Sequence, residues 1–502
     1  MSAGGVLLVA TLGLPAAGAL AVALLPHRHE QGRRVVGAVA AALAFLASVA
    51  LLPGPGEEGR FALAPEPAVQ PWHQVQVDWV PWLNLQFHLG VDGISYPLVV
   101  LTTLLTLLCC LYTLRHAPGG GRGSTLIALL LVVETGIVGT FLALDLVLFF
   151  IFFEVVLLPM YAVIAGWGGE RRRHAARKFA LYTLLGSVLL LVGVFVVVGS
   201  AGTADIVALT GGDQLTRGTQ LLAFTLLALA FAVKAPLWPL HTWLPDAHTE
   251  APTVGSVILA GVLLKMGTYG LIRIGVGVTP EGAAWAAPVL GVLAVAAIIV
   301  GALVCLAQTE LKRLIAYSSV GHMGFVLLGV ATLSTVGIQA ALVGNIAHGV
   351  ITGLLFFLAG AVKERAHTGD LTRLGGLRET SPALAGLLGF AAIASLGLPG
   401  LAGFWGEIFA VVGAFQRGEA LWLVVGVVAA AGAALTAAYF LRLLRRVTHG
   451  PAVPAAPAAL TRPELVAWSP LVVLALAIGL LPVLVLGMAY DPVGALAGVV
   501  TR

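Results

Sequence analysis

Apolar residues in this chain come in long runs rather than in alternation. Fourteen runs stand out, at about 5–25, 35–52, 94–114, 125–143, 145–166, 178–199, 218–240, 251–273, 286–308, 312–332, 338–362, 382–414, 421–443 and 467–488. Each approaches the ~20 residues that an α-helix needs to cross the hydrocarbon core of a bilayer. A transmembrane barrel would show alternating segments of about ten residues instead. Inside hydrocarbon a helix satisfies every backbone N–H and C=O within its own segment. The pattern therefore predicts an all-α, polytopic membrane protein with about 14 transmembrane helices. The longest stretch between runs is about 53–93, with proline punctuation followed by Trp72, Trp79 and Trp82. Those tryptophans suit an interfacial belt.

Composition narrows the reading. Only 10% of the 502 residues are charged, and 59% are hydrophobic. An ordinary soluble domain carries roughly 25% charged residues. Soluble enzymes, disordered chains and disulfide scaffolds are excluded. Cys109, Cys110 and Cys305 all lie in apolar runs, and no CxxC occurs. They read as small core hydrophobes, with no metal or cofactor site. The net charge of +4 is too small and scattered for a nucleic-acid surface. Gly119-Gly120-Gly121 has no Lys-Ser/Thr after it and reads as a linker, not a phosphate loop.

The basic residues test the span count. No basic residue precedes the first run, whereas His27 to Arg34 follow it. That predicts a retained helix with an outside N-terminus. The odd-numbered loops then hold 20 of the 27 Lys and Arg residues. The opposite side holds five: Arg60, Arg217, Arg273, Arg417 and Arg502. The excess marks the cytoplasmic face and places both termini in the periplasm.

The two basic residues left over are Lys234 and Lys265, both at membrane depth. A charge at a helix centre costs roughly 2.5–3.5 kcal/mol on insertion scales, so each marks a candidate functional position. Glu154 sits within Phe149–Leu158, where every neighbour is apolar. Lys234 lies beside Pro236 and Pro239, which break the helix and are expected to free the carbonyls of Ala232 and Ala235. Broken backbone at this depth is tolerated where it lines a cavity or is buried in protein. Glu407 follows a second break at Pro399 and Gly400. Both mid-span cations are lysine, although the chain has 22 arginines and five lysines. Lysine can lose its proton when buried and arginine effectively cannot, so the choice points to proton movement. His322 and His348 lie mid-span among small polar residues and suit either a relay or a structural role. Glu134 favours the structural reading.

A repeat is visible. Glu154 to His322 is 168 residues and Lys234 to Glu407 is 173. Five spans separate each pair, and an odd offset reverses orientation. This predicts two inverted five-helix repeats, at about 125–273 and 286–443, with broken helices 7 and 12. Helices 1–3 and 14 are then peripheral to a single membrane domain. The cytoplasmic loop from His241 to Thr253 carries no Lys or Arg. Asp246, Glu250 and Pro252 there suit either a helix N-terminus or proton collection at a channel mouth.

The string from Lys234 through His-Thr-Trp-Leu-Pro-Asp-Ala-His248 to Lys265 resembles the antiporter-like subunits of respiratory complex I. So do Phe-Phe-Glu154, the run Leu311 to Phe325 with Tyr-Ser-Ser-Val-Gly-His322, and Gly397-Leu-Pro-Gly400. The resemblance covers nearly the whole chain. The His-Thr-Trp-Leu-Pro-Asp-Ala-His string and a Glu at 407 favour the M-type members. The resemblance implies that Glu154 pairs with and tunes Lys234, that Lys265 connects the halves, and that Glu407 is the exit-side carrier. His241, His248, His322 and His348 match channel or polar-axis positions. Flavin, iron–sulfur clusters and quinone would reside in partner subunits, with none in this chain. L-type and N-type subunits would be its neighbours in the cell inner membrane. Separation of Glu154 from Lys234 would release a proton toward Lys265 and Glu407. Two alternatives remain at this point: a multi-subunit Na⁺/H⁺ antiporter subunit and a non-translocating structural anchor.

Overall fold

The computed structural model describes residues 2–52, 69, 71–81, 85–451 and 460–500. Trp82, Arg60, Arg502 and the proline-rich stretch from residue 53 lie outside the described residues. Among the described residues fourteen helices are long and apolar enough to cross a membrane. Thirteen coincide with predicted spans, from Ala3–Leu24 to Arg462–Leu480. The predicted span 382–414 is instead divided into Pro382–Ala394 and Gly403–Gln416. The remaining long helix, Val483–Val500, follows Pro482, and the apolar pattern merges its first turns with the run before it. The helix Arg462–Leu480 starts earlier than the apolar run because Thr461 and Glu464 form a reciprocal capping box.

Caps set several other helix starts. Asp145 accepts from the N–H groups of Val147 and Leu148, and Glu310 accepts from Arg313 N–H. Ser334 accepts from Gly337 N–H. Each satisfies donors that the first helical turn leaves free.

Between the second and third helices the chain forms a β-hairpin, His73–Val80 antiparallel to Leu85–Val91, with Val75 opposite Leu89 and Val77 opposite Phe87. The all-helical description holds for the membrane segments, and this hairpin adds to it. Its sequence alternates strictly, with Val75, Val77 and Trp79 separated by polar residues. That is strand periodicity, overlooked when only long apolar runs are sought. His88 on the second strand places Nδ1 2.9 Å from Asp205 Oδ2. Burial pushes the Asp205 carboxyl up, but the His88 hydrogen bond and the Ala208 and Val207 N–H groups outweigh it, leaving it below the usual carboxylate range. A depressed carboxylate stabilises the fold above its unfolded-state value, and the stabilisation is lost as pH falls through the lower folded-state value. Thermal stability should therefore fall more steeply below about pH 4 in the wild type than in Asp205→Asn. Parallel pH profiles for the two proteins would contradict this.

The same loop-to-helix clasp occurs twice. Asp145 bridges Asp205, with Leu146 N–H donating to Ala204 O and Ile206 N–H to Leu144 O. Glu310 bridges Asp370, with Leu311 N–H donating to Gly369 O and Leu371 N–H to Thr309 O. Both partners of the second clasp lie 165 residues after those of the first.

The most enclosed helices are Thr253–Val276 and Thr335–Ala366, whose apolar windows are buried throughout. They carry Lys265 and His348. The first is not uniformly α-helical: Leu259–Leu263 and Leu271–Val276 are wound as π-helix, on either side of the α segment Leu264–Gly270. Such π turns inside an α-helix occur frequently at functional sites.

Candidate functional site

Lys234 is the last residue of the helix Arg217–Lys234, and helix resumes at Trp243–Glu250. The break beside the two prolines is present. The carbonyls it releases are largely taken up again. Ala232 O accepts from Leu237 N–H at 2.9 Å, and Val233 O accepts from Trp243 Nε1 at 3.0 Å. The expectation that Ala232 O stands free is therefore corrected. The turn after the lysine closes back on the helix end, as buried carbonyls require.

Lys234 is 2% exposed, and its ammonium lies 4.6 Å from the centroid of the Phe153 ring. Glu154 does not form an ion pair with it among the described residues. Its carboxyl is held by the Ser187 hydroxyl. The helix carrying Glu154 ends at Val155 and a new one starts at Leu157. Pro159 explains the bend, because it cannot donate to the Val155 carbonyl one turn back. An ammonium over an aromatic face gains ~0.5–2 kcal/mol. A carboxylate at ~4 Å gains roughly 4 kcal/mol at an effective dielectric of ~20. In the observed arrangement the ring contact and the Glu154 carboxylate beyond ion-pair distance act on the lysine charge together.

Lys265 is fully buried. Its Nζ donates to Ala260 O at 2.6 Å and lies 2.6 Å from His348 Nδ1. Ala260 belongs to the first π stretch, and its carbonyl serves the lysine five residues on. His322 Nδ1 is 3.1 Å from Glu407 Oε1. The two imidazoles meet edge-on with ring centroids 5.9 Å apart and planes inclined by 62°, and Nε2 of each has no hydrogen-bond partner among the described residues. A cavity of about 30 Å³ lies against both rings, lined also by Thr352, Ser395 and Glu407. One water needs only ~10–15 Å³ measured this way. Polar atoms of four side chains thus line up in space: Lys265, His348, His322 and Glu407.

Glu407 is placed by the second break. Residues 395–402 are non-helical between Pro382–Ala394 and Gly403–Gln416. Gly397 turns there with φ +67°, and a Cβ on it would lie 2.5 Å from Glu407 Oε2. Only glycine meets both conditions at low cost. Gly400, next to Pro399, also has positive φ, +90°.

The other sequence candidates stand apart from this row. His248 is fully buried and stacks on Phe356 at 4.5 Å, with both ring nitrogens unpartnered among the described residues. His241 packs edge-on to Tyr317 at 6.1 Å. Neither hydrogen-bonds to a lysine among the described residues. Glu134 is fully buried, and neither carboxyl oxygen has a partner among the described residues. Lys234 and Lys265 do not touch, but their helices do. A Cβ on Gly267 would lie 2.7 Å from both Ala235 N and Phe231 O.

Several buried polar groups escaped the sequence reading. Arg273, counted with the loop charges, is 2% exposed and donates from Nη2 to both Asp92 oxygens at 2.6 Å. Lys312, also counted with the loops, is 5% exposed and donates to Ala251 O. Ser187 carried a faint signal, lying four residues after Thr183 in an otherwise apolar run. Arg273 and Lys312 carried none, because helix ends are where loop charge is expected.

Comparison with known proteins agrees with this geometry. The family model described as NADH:quinone oxidoreductase/Mrp antiporter, transmembrane, matches residues 143–432. NADH-quinone oxidoreductase subunit M of Rhodobacter capsulatus is 40% identical over 94% of this chain and 92% of its own. NAD(P)H-quinone oxidoreductase chain 4 1 of Synechococcus sp. (strain JA-3-3Ab) is 44% identical over 74% of this chain and 71% of its own. A chain in the structure of respiratory complex I from Thermus thermophilus with bound NADH superposes with a TM-score of 0.87, at 30% identity, covering 98% of this chain and 99% of that one. A chain of the Mrp complex from Dietzia sp. DQ12-45-1b shares the fold at a TM-score of 0.84 and 23% identity, covering 99% of this chain and 97% of that one. With its interrupted helices, buried lysines and full-length likeness to these relatives, the chain belongs to the NADH:quinone oxidoreductase/Mrp antiporter transmembrane family, among its subunit M and chain 4 members.

Proposed function

We propose that this chain is a proton-translocating membrane-arm subunit of a respiratory NADH:quinone oxidoreductase. It couples quinone reduction elsewhere in the complex to proton movement through its own buried Glu and Lys residues. The observation that carries this reading is the row Lys265–His348–His322–Glu407 in an otherwise apolar bundle. The Lys265–His348 and His322–Glu407 steps have donor and acceptor within hydrogen-bond distance, and the cavity at the two rings is large enough for the water that would join them. The Lys265 ammonium donates to Nδ1 of neutral His348. His348 then releases its Nε2 proton to a water in the adjoining cavity, and that water protonates His322 at Nε2. His322 passes its Nδ1 proton to Glu407. Histidine can take a proton on one ring nitrogen and give up another from the second, which suits it to such a relay.

Lys234 supplies the upstream switch. Glu154 is held by Ser187, and the lysine rests over the Phe153 ring without an ion-pair partner among the described residues. Approach of Glu154 to ~4 Å would change the energy by roughly 4 kcal/mol, enough to switch whether the lysine holds its proton. The Lys234 and Lys265 helices pack directly against each other at Gly267 and Gly270. The two loop-to-helix clasps at one offset support inverted repeats at about 125–273 and 286–443. Flavin, iron–sulfur clusters and quinone belong to partner subunits in this reading. L-type and N-type subunits are the neighbours, and the membrane is the cell inner membrane with both termini periplasmic.

The test is Lys234→Ala in the assembled complex, with proton uptake measured against electron transfer from NADH to quinone. The expected result is a lower number of protons per electron pair. Full stoichiometry would overturn the proposal, as would Na⁺-dependent transport without any redox substrate.

A further inference from the structure

The helix Ala420–Thr448 ends in a basic concavity that the proton path does not use. Arg442, Arg445, Arg446 and His449 approach it from the helix end, and Arg373 from the facing loop. Gly376 N–H donates to His449 O at 3.1 Å, closing that loop onto the helix. The cavity measures about 950 Å³, and among the described residues no acidic side chain lines it. Three buried or half-buried arginines do meet carboxylates: Arg34 with Glu30, Arg273 with Asp92, Arg365 with Glu464. Among the described residues none of these four guanidinium groups has an ion pair. Nη1 of Arg442 is buried with no hydrogen-bond partner there. A buried donor without an acceptor is costly, and guanidinium groups gathered at one site repel one another. A phosphate resolves both problems, because its oxygens match the planar fork of arginine.

The same helix indicates where the phosphate comes from. Val424, Val427, Ala431, Ala434, Ala438 and Leu441 are all exposed and follow at intervals of three or four. That spacing is one face of a helix. The stripe runs straight into Arg445, one turn beyond Leu441. Val424, Val427 and Leu441 are 61%, 59% and 56% exposed, as side chains facing hydrocarbon are. An apolar track ending in a cationic pocket fits an amphiphile with an anionic head.

We propose that this concavity binds the phosphate headgroup of an anionic phospholipid, whose acyl chains lie along the Val424–Leu441 stripe. Basic pockets between membrane helices recognise such headgroups. The site is separate from the row of Lys265 to Glu407, so the proposal stands whether or not that row carries protons.

The assembled complex is reconstituted in nanodiscs with a photoactivatable phosphatidylglycerol or, in parallel, a photoactivatable phosphatidylcholine of the same chains. Cross-linked peptides are then mapped. Expected is labelling at 371–375 and 438–451 by phosphatidylglycerol, at least about fivefold above phosphatidylcholine, given electrostatic attraction from several arginines. Arg442→Gln, Arg445→Gln and Arg446→Gln together should remove that excess. Excess inorganic phosphate should leave it in place. Equal labelling by the two lipids would overturn the proposal, and so would labelling unchanged in the triple variant. Displacement by inorganic phosphate would reassign the pocket to a soluble anion. If the triple variant does not assemble, the comparison of the two lipids on the wild-type complex decides by itself.

Discussion

Lys265→Arg should stop proton movement through this chain while leaving the complex assembled. Arginine keeps the positive charge that Ala260 O and His348 Nδ1 surround. What it loses is the ability to give the proton up. Reference pKa values of ~10.4 for lysine and at least ~12.5 for arginine differ by two units or more. Deprotonation therefore becomes at least about a hundredfold rarer, and translocation through 265 should fall by a similar factor. The larger guanidinium adds some strain in a fully buried position, of the order of 1–3 kcal/mol for overpacking. Lys265→Met removes that complication: it is smaller than arginine, cannot carry a proton and should also fail. Proton uptake per electron pair in inverted vesicles reads the effect, with complex yield as the control. Normal stoichiometry in Lys265→Arg would show that deprotonation at 265 is not required.

The second large effect concerns assembly. Asp92→Ala should destabilise the chain by ~3–5 kcal/mol, the usual consequence of leaving a buried charge without its partner. Asp92 and Arg273 are 3% and 2% exposed at the side chain, and the contact is bidentate. Arg273 Nε also donates to the Tyr269 hydroxyl, which donates on to Phe141 O. Removing the carboxylate thus strands a guanidinium that ties three segments together. Asp92→Ala with Arg273→Met should recover most of the loss, because apolar replacements of a buried pair are often near neutral. Thermal inactivation of the purified complex and its yield both read this. A single variant as stable as the wild type, or a double variant no better than the single one, would contradict it.

The membrane helices were legible because a span is a local property: about twenty apolar residues in sequence are enough to define one. The breaks beside Lys234 and Glu407 were legible for the same reason, since Pro236, Pro239, Pro399 and Gly400 act within a turn of themselves. The partners were not. Lys265 meets His348 across 83 residues and His322 meets Glu407 across 85. No local pattern encodes which nitrogen faces which. Arg273 shows the limit most clearly. Its position near a helix end reads as loop charge, and only the fold brings Asp92 to it from 181 residues away. The hairpin was a different case. His73–Val80 alternates in plain sight, but it is a period-2 signal within a chain dominated by long runs.

The two π stretches have a consequence for how this chain can change over evolutionary time. Each residue of an α-helix turns the helix by ~100° and lifts it ~1.5 Å. Loss of one residue from an ordinary helix therefore turns everything beyond it away from its neighbours. A π turn already holds one residue in excess, so a deletion there relaxes it to α-helix and leaves both ends in phase. Leu259–Leu263 and Leu271–Val276 bracket the short segment that bears Lys265. A deletion in either stretch would therefore shorten the chain without turning that segment or the rest of the buried helix. A lineage could thus lose a residue from either stretch and keep its central lysine aimed at His348.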